Sequence, residues 1–180
     1  MNRLARAAKE IADAVEKIDE SEMAAAATAV AKAKCAFVGG AGRSGLAARM
    51  FAMRLAQAGM AVHVVGDATA TAAGKGDVLF LVSGSGTTPG VLGWVKRARG
   101  AGCGVWLLTH SPDSPLAREA SGVVTIPLPK DAAGGIAGEG WLVSVFEECA
   151  VVVLDVLAER VAAIRGETPE TLRRRHANLE

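Results

Sequence analysis

Five apolar runs of four or five residues, at 34–38, 61–65, 78–82, 105–109 and 123–126, recur along this chain, and helix-forming stretches separate most of them. A half-exposed strand alternates apolar and polar residues, whereas continuous runs alternating with helices are what a parallel sheet covered on both faces requires. Parallel neighbours cannot be joined by a tight hairpin, so each connection must carry the chain back across a face of the sheet. The expected class is α/β: a single doubly wound, five-stranded parallel sheet flanked by helices, in the flavodoxin-like order 2-1-3-4-5.

A length of 180 residues suits one domain, and folding at that size buries roughly 70% of the surface of the unfolded chain. The expected organisation is an N-terminal helical segment at 1–33, an α/β core at 34–164 and a C-terminal tail at 165–180. In the first segment Leu4, Ala8, Ile11, Val15 and Ile18 are spaced 4-3-4-3, which makes one narrow helical stripe. Such a stripe packs on its own chain or on a second subunit.

Charge and cysteine usage exclude several function classes. A formal net charge of +1 leaves no electrostatic footprint for nucleic acid, and the aromatic residues are too scattered for base stacking. Cys35, Cys103 and Cys149 are odd in number and embedded in apolar stretches, so they read as reduced, buried small hydrophobes rather than a disulfide frame or metal site. The longest apolar stretch, 141–164, carries Glu147, Glu148, Asp155 and Glu159 and is not a membrane span. With no apolar signal segment at the N-terminus, the expected compartment is the cytoplasm. The Gly- and Pro-containing stretch at 127–140 reads as a long, functional loop before the last helix.

Ligands of open α/β sheets bind beyond the carboxyl ends of the strands, where successive connections leave on opposite faces. Two loops are placed for that. Gly42-Arg43-Ser44-Gly45 follows the first strand, and Ser83-Gly84-Ser85-Gly86-Thr87-Thr88 follows the third; each opens a helix, whose N–H groups and positive dipole end favour an anion. In the order 2-1-3-4-5 these strands are neighbours, so both loops converge on one crevice. There Gly42 lets the backbone approach a phosphate, and the hydroxyls of Ser44, Ser83, Ser85 and Thr88 donate to its oxygens.

Rival readings stand beside this one. Taken singly, each loop is equally well a strand-to-helix turn with serine as the helix cap. The run from Gly40 to Gly45 also fits GxGxxG, with Asp67 about 20 residues on, which is the pattern of a dinucleotide site. Neither loop ends in the Gly-Lys-Ser/Thr of a nucleoside triphosphatase, and His63, His110 and His176 lack metal-ligand spacing.

Five stretches read together carry a family resemblance: Gly-Ala-Gly-Arg-Ser-Gly-Leu at 40–46 with Phe-Ala-Met-Arg-Leu at 51–55, Val-Val-Gly at 64–66, Ser-Gly-Ser-Gly at 83–86, Ser-Pro-Leu-Ala at 114–117 and Arg-His-Ala-Asn-Leu-Glu at 175–180. By these the chain resembles the SIS (sugar isomerase) family, and within it the 6-phospho-3-hexuloisomerases, over nearly its whole length. The resemblance implies the SIS fold, no metal or organic cofactor, and isomerisation of D-arabino-3-hexulose 6-phosphate to D-fructose 6-phosphate in the ribulose monophosphate route of formaldehyde fixation. It also implies a homotetramer whose active sites are completed by neighbouring subunits, with a hexulose-phosphate synthase as a candidate partner. The chain departs from the family pattern at Thr87, at Ala68 to Thr71, and at 141–143, where Trp-Leu-Val stands. These departures bear on sugar selectivity, and a non-catalytic or differently specific sugar-phosphate-binding protein is the alternative.

Moving a carbonyl to the neighbouring carbon needs one group that removes a proton from carbon and returns it next door. By its match to the family's Phe-Glu, Glu147 is the expected base; in the bland reading it is a first-turn acid that stabilises its helix. His176 is expected to help move protons on the sugar oxygens or open a cyclic form, and a solvated tail histidine is its ordinary alternative. Arg43 is expected at the phosphate or a sugar hydroxyl. His63 reads as structural, and His110, in the loop after strand four, is assigned no role.

Overall fold

A computed structural model describes residues 2–128 and 145–179. Most of the expected loop at 127–140, and the departures at 141–143, lie outside these residues.

The five expected runs form the strands β1 (Cys35–Gly40), β2 (Ala61–Val64), β3 (Val78–Val82), β4 (Gly104–Thr109) and β5 (Gly122–Thr125), all parallel, in the order β2-β1-β3-β4-β5. Helices α1 (Arg3–Val15) and α2 (Glu20–Lys32) precede β1, α3 (Gly42–Gln57) joins β1 to β2, and α4 (Pro89–Gly100) joins β3 to β4. The short α5 (Pro115–Glu119) precedes β5, and α6 (Val145–Ile164) and α7 (Pro169–Arg174) complete the described elements.

The sheet is apolar on both sides because alternate residues feed two separate cores. Ala36, Val38, Val78, Phe80, Val82 and Leu108 point to one face, where α1, α2, α3 and α6 cover them. Phe37, Leu79, Leu81, Val105 and Leu107 point to the other, against α4 and α5. Within α6 the buried residues fall in adjacent pairs four apart, from Val145 and Phe146 to Val161 and Ala162, a stripe broad enough to meet three helices at once. Since α3 leaves β1 on the first face and α4 leaves β3 on the second, the chain reverses its winding between these neighbouring strands.

The N-terminal stripe is used by half. Ile11, Val15 and Ile18 pack on the first core together with Ala7 and Ala14, whereas Leu4 and Ala8 are exposed. Helix α1 packs on α6, and Leu4 in its first turn is left uncovered.

Among the described residues no helix is long and apolar enough to cross a membrane. The three cysteines are free thiols, with Cys103 and Cys149 buried and Cys35 half-buried. Burial pushes all three thiols up, Cys149 to about 11.

Candidate active site

At the reversal point a cleft of about 280 Å³ opens, lined by Ser44 of α3, Ser83, Gly84, Ser85 and Thr88 after β3, His110 and Ser111 after β4, and Phe146 and Glu147 of α6. The loops after β1 and β3 therefore meet in space.

Local geometry explains why the two loops run where they do. Helix α3 starts four residues earlier than a pattern beginning at Leu46 suggests, at Gly42, so Ser44 lies inside its first turn and is not its cap. A Cβ on Gly45 would stand 2.6 Å from Gly40 O, so only glycine lets the helix start this close to the end of β1. Gly86 has φ 62°, and a Cβ there would meet Ser114, at 2.5 Å from its Cβ.

The two helices that open at this cleft differ from the others in what they lack. Asn2, Asp19, Ser114 and Thr168 cap α1, α2, α5 and α7 with their side chains, whereas α3 and α4 have no side-chain cap and no acidic residue in the first turn. Both uncapped helices begin at this cleft, where their first N–H groups and dipoles favour negative charge. Thr88, the N-cap residue of α4, makes no capping bond, so its hydroxyl is not committed to the helix. Ser83 is buried, while the exposed Ser85 accepts a 3.0 Å bond from Thr87 Oγ1.

Opposite the hydroxyls stands a carboxylate. Ser44 Oγ donates to Glu147 Oε1 at 3.0 Å, and Arg43 Nε lies 3.9 Å from Glu147 Oε2. Arg43 Nη2 donates to Glu148 Oε1 at 2.6 Å, so the guanidinium is turned toward the acid pair of α6 and is not among the lining residues. Glu148, about 100° around the helix from Glu147, thereby holds Arg43 beside it.

One expected member is elsewhere. His176 lines a separate groove with Arg54, Asp155, Glu159 and Leu172, along the later turns of α3 and α6. The groove meets α6 from Asp155 to Ala162, about 12–22 Å along the helix axis from Glu147, and within one chain His176 does not join Glu147 in the cleft. His63 is in β2, with Nε2 3.1 Å from Thr71 Oγ1 and its ring against Phe37. Asp67, the acid of the dinucleotide pattern, accepts from both terminal nitrogens of Arg49 at 2.7 and 3.2 Å, which occupies the carboxylate a ribose would need.

Sequence reasoning missed the brace behind the second loop. The fully buried Thr109 donates through Oγ1 to Gly84 O at 2.7 Å and accepts from Ser111 N at 3.0 Å, while Leu116 N donates to Gly86 O at 3.0 Å. The signal was available in the expected strand order, since β4 beside β3 puts the Thr-His-Ser turn next to the Ser/Gly loop. Among the described residues no group of three or more His, Cys, Asp or Glu could hold a metal ion.

These features define a doubly wound α/β protein whose crevice at the winding reversal brings together two uncapped helix ends and a carboxylate. Residues 29–147 match the SIS domain family. The chain is 41% identical to the 3-hexulose-6-phosphate isomerase of Mycobacterium gastri, across 99% of this chain and 90% of that protein. It is 34% identical to the Bacillus subtilis protein of the same name, over 80% of this chain and 79% of that one. A crystal structure from Methanococcus jannaschii, described as inferring a function of 3-hexulose-6-phosphate isomerase, superposes over the full length of both chains with a TM-score of 0.84 at 26% identity. The chain belongs to the SIS-domain family and, within it, to the sugar-phosphate isomerases.

Proposed function

We propose that this protein interconverts D-arabino-3-hexulose 6-phosphate and D-fructose 6-phosphate through an enediol, with Glu147 as the acid–base group. The observation that carries the proposal is the Ser44–Glu147 hydrogen bond, which holds a carboxylate against the same crevice that the Ser83–Thr88 loop lines. The phosphate dianion takes the neutral end: the hydroxyls of Ser83, Ser85 and Thr88, and the N-termini of α3 and α4 beginning at Gly42 and Pro89, while the hydroxyl of Ser44, expected at the phosphate, is given to Glu147. The sugar then extends toward Glu147.

From there the chemistry is a relocation of protons. Glu147 removes the proton from C2 of the 3-ketose, the electron pair forms the C2=C3 bond, and the carbonyl oxygen becomes an enediol oxygen. Collapse from the C2 oxygen returns the same proton from Glu147 to C3, which leaves the 2-ketose. Arg43, shared between Glu147 and Glu148, steadies the carboxylate that works.

The proposed setting is the cytoplasm, in the ribulose monophosphate route, with a hexulose-phosphate synthase supplying the substrate. We read the working form as a homotetramer. Leu46, Met50 and Met53 make an exposed stripe on α3, and Val152 and Val156 another on α6, which suits burial against a second copy. A role for His176 in a cleft requires that it come from such a neighbour. Purified protein should interconvert the two sugar phosphates in a coupled assay, and Glu147→Gln should lose turnover by about 10²-fold or more while still binding fructose 6-phosphate. Binding without turnover in the wild type would remove the isomerase reading and leave a sugar-phosphate sensor.

A further inference from the structure

Ketose isomerisation moves two protons, one between carbons and one between oxygens, and Glu147 accounts for the first alone. Among the described residues lining the cleft, His110 is the other group that titrates; the remaining polar side chains are hydroxyls. Imidazole both gives and takes a proton near neutral pH, which an alcohol does not.

The fold fixes this ring with some care. His110 N donates to Gly84 O at 3.3 Å, and Thr109 Oγ1 donates to the same oxygen at 2.7 Å, so the residue's backbone is tied to the Ser/Gly loop. The ring stands edge-on to Phe146 with centroids 5.5 Å apart, and Phe146 precedes Glu147 on α6. Nδ1 is engaged by Ser111 Oγ at 3.2 Å. The opposite edge, Cδ2 and Nε2, lies over Gly84: a Cβ there would be 3.1 and 3.3 Å from these atoms. Glycine at 84 therefore leaves the space that the Nε2 edge occupies in the cleft wall.

Resting on the isomerase reading, we infer that His110 Nε2 carries the proton between the two substrate oxygens while Glu147 carries the one between the two carbons. In the imidazolium, Nδ1–H donates to the Ser111 hydroxyl and Nε2 bears the hydrogen that is transferred. It passes to the carbonyl oxygen as Glu147 takes the carbon proton, and Nε2 recovers a proton from the neighbouring hydroxyl as the new carbonyl forms. The ring ends as it began, and no other reactant is consumed. The charged groups on the segments that form the cleft are Glu147 and Glu148 at the start of α6, Arg43 at the start of α3, paired with Glu148, and the exposed Asp113 of the His110 loop; the loop after β3 contributes none.

The test compares wild type with His110→Gln and His110→Ala, each first checked for an unchanged melting temperature. Both variants should lose about 10²- to 10⁴-fold in kcat, with KM for fructose 6-phosphate within about threefold of wild type. The pH profile of kcat should lose one limb in His110→Gln. In D2O this variant should still exchange the carbon-bound proton for deuterium faster than it isomerises, because Glu147 remains. A kcat within about threefold of wild type, or a raised KM with kcat intact, would overturn the inference and make His110 a spectator or a phosphate ligand. If His110→Ala unfolds, the glutamine variant decides. An inactive wild type would sink the isomerase reading itself, and the inference with it, whereas failure in the variants alone would sink only the inference.

Discussion

Gly42 and Gly86 both adopt left-handed backbone conformations, with φ of 57° and 62°, yet their surroundings differ, and alanine at each should separate backbone strain from crowding. Nothing lies within 4 Å of a Cβ on Gly42, so Gly42→Ala should cost only the conformational penalty, about 1–2 kcal/mol. At Gly86 the same penalty applies, and the new methyl meets Ser114, whose Oγ caps α5 by accepting from Ala117 N at 3.3 Å. Losing that cap costs about 1 kcal/mol, and forcing a methyl into a filled site costs about 1–3 kcal/mol more. Gly86→Ala should therefore be destabilised by about 3–6 kcal/mol in all. For a domain of this size, each kcal/mol lowers Tm by about 2–4 °C. Urea unfolding at constant m-value should show the midpoint of Gly86→Ala falling at least twice as far as that of Gly42→Ala. Equal midpoints for the two variants would mean that Ser114 yields without cost, and the packing argument for the second loop would fail.

Thr109→Val keeps the shape but removes the donor to Gly84 O and the acceptor for Ser111 N, so it should cost about 1–3 kcal/mol in urea unfolding; a change inside about 0.5 kcal/mol would show that the brace is dispensable. Burial, with the charge of Glu148 adding to it, holds the Cys149 thiol at about 11, above the ordinary value of about 8.5 in an unfolded chain. The unfolded state then loses its thiol proton first, so the stabilisation is complete below about pH 8.5 and is lost as pH rises toward 11. Unfolding midpoints measured across that window should fall less in Cys149→Ala than in wild type; parallel curves would refute the assignment.

The strands were legible because each is a continuous apolar run, and a run of that kind is stable only between two covering layers. Their order and the meeting of the two Ser/Gly loops were also expected from sequence, since winding reversal between β1 and β3 puts both loops at one crevice. Ser44 shows the limit of that reading. A serine in a strand-to-helix turn reads as a cap or as a phosphate donor, and only the position of α6 reveals that it donates to Glu147.

Where Arg43, His110 and His176 stand was decided by tertiary structure alone. Arg43 pairs with Glu148, a residue 105 positions away, and local sequence carries no information about such a partner. His176 sits in the strongest terminal motif but lies with the later turns of α3 and α6, while the unassigned His110 is in the cleft. Backbone class follows from short-range patterning, because the hydrophobic period acts within a few residues. Which side chains share a site depends on how far each helix runs before it turns and which faces it presents, and those distances are set by packing between elements remote in the chain.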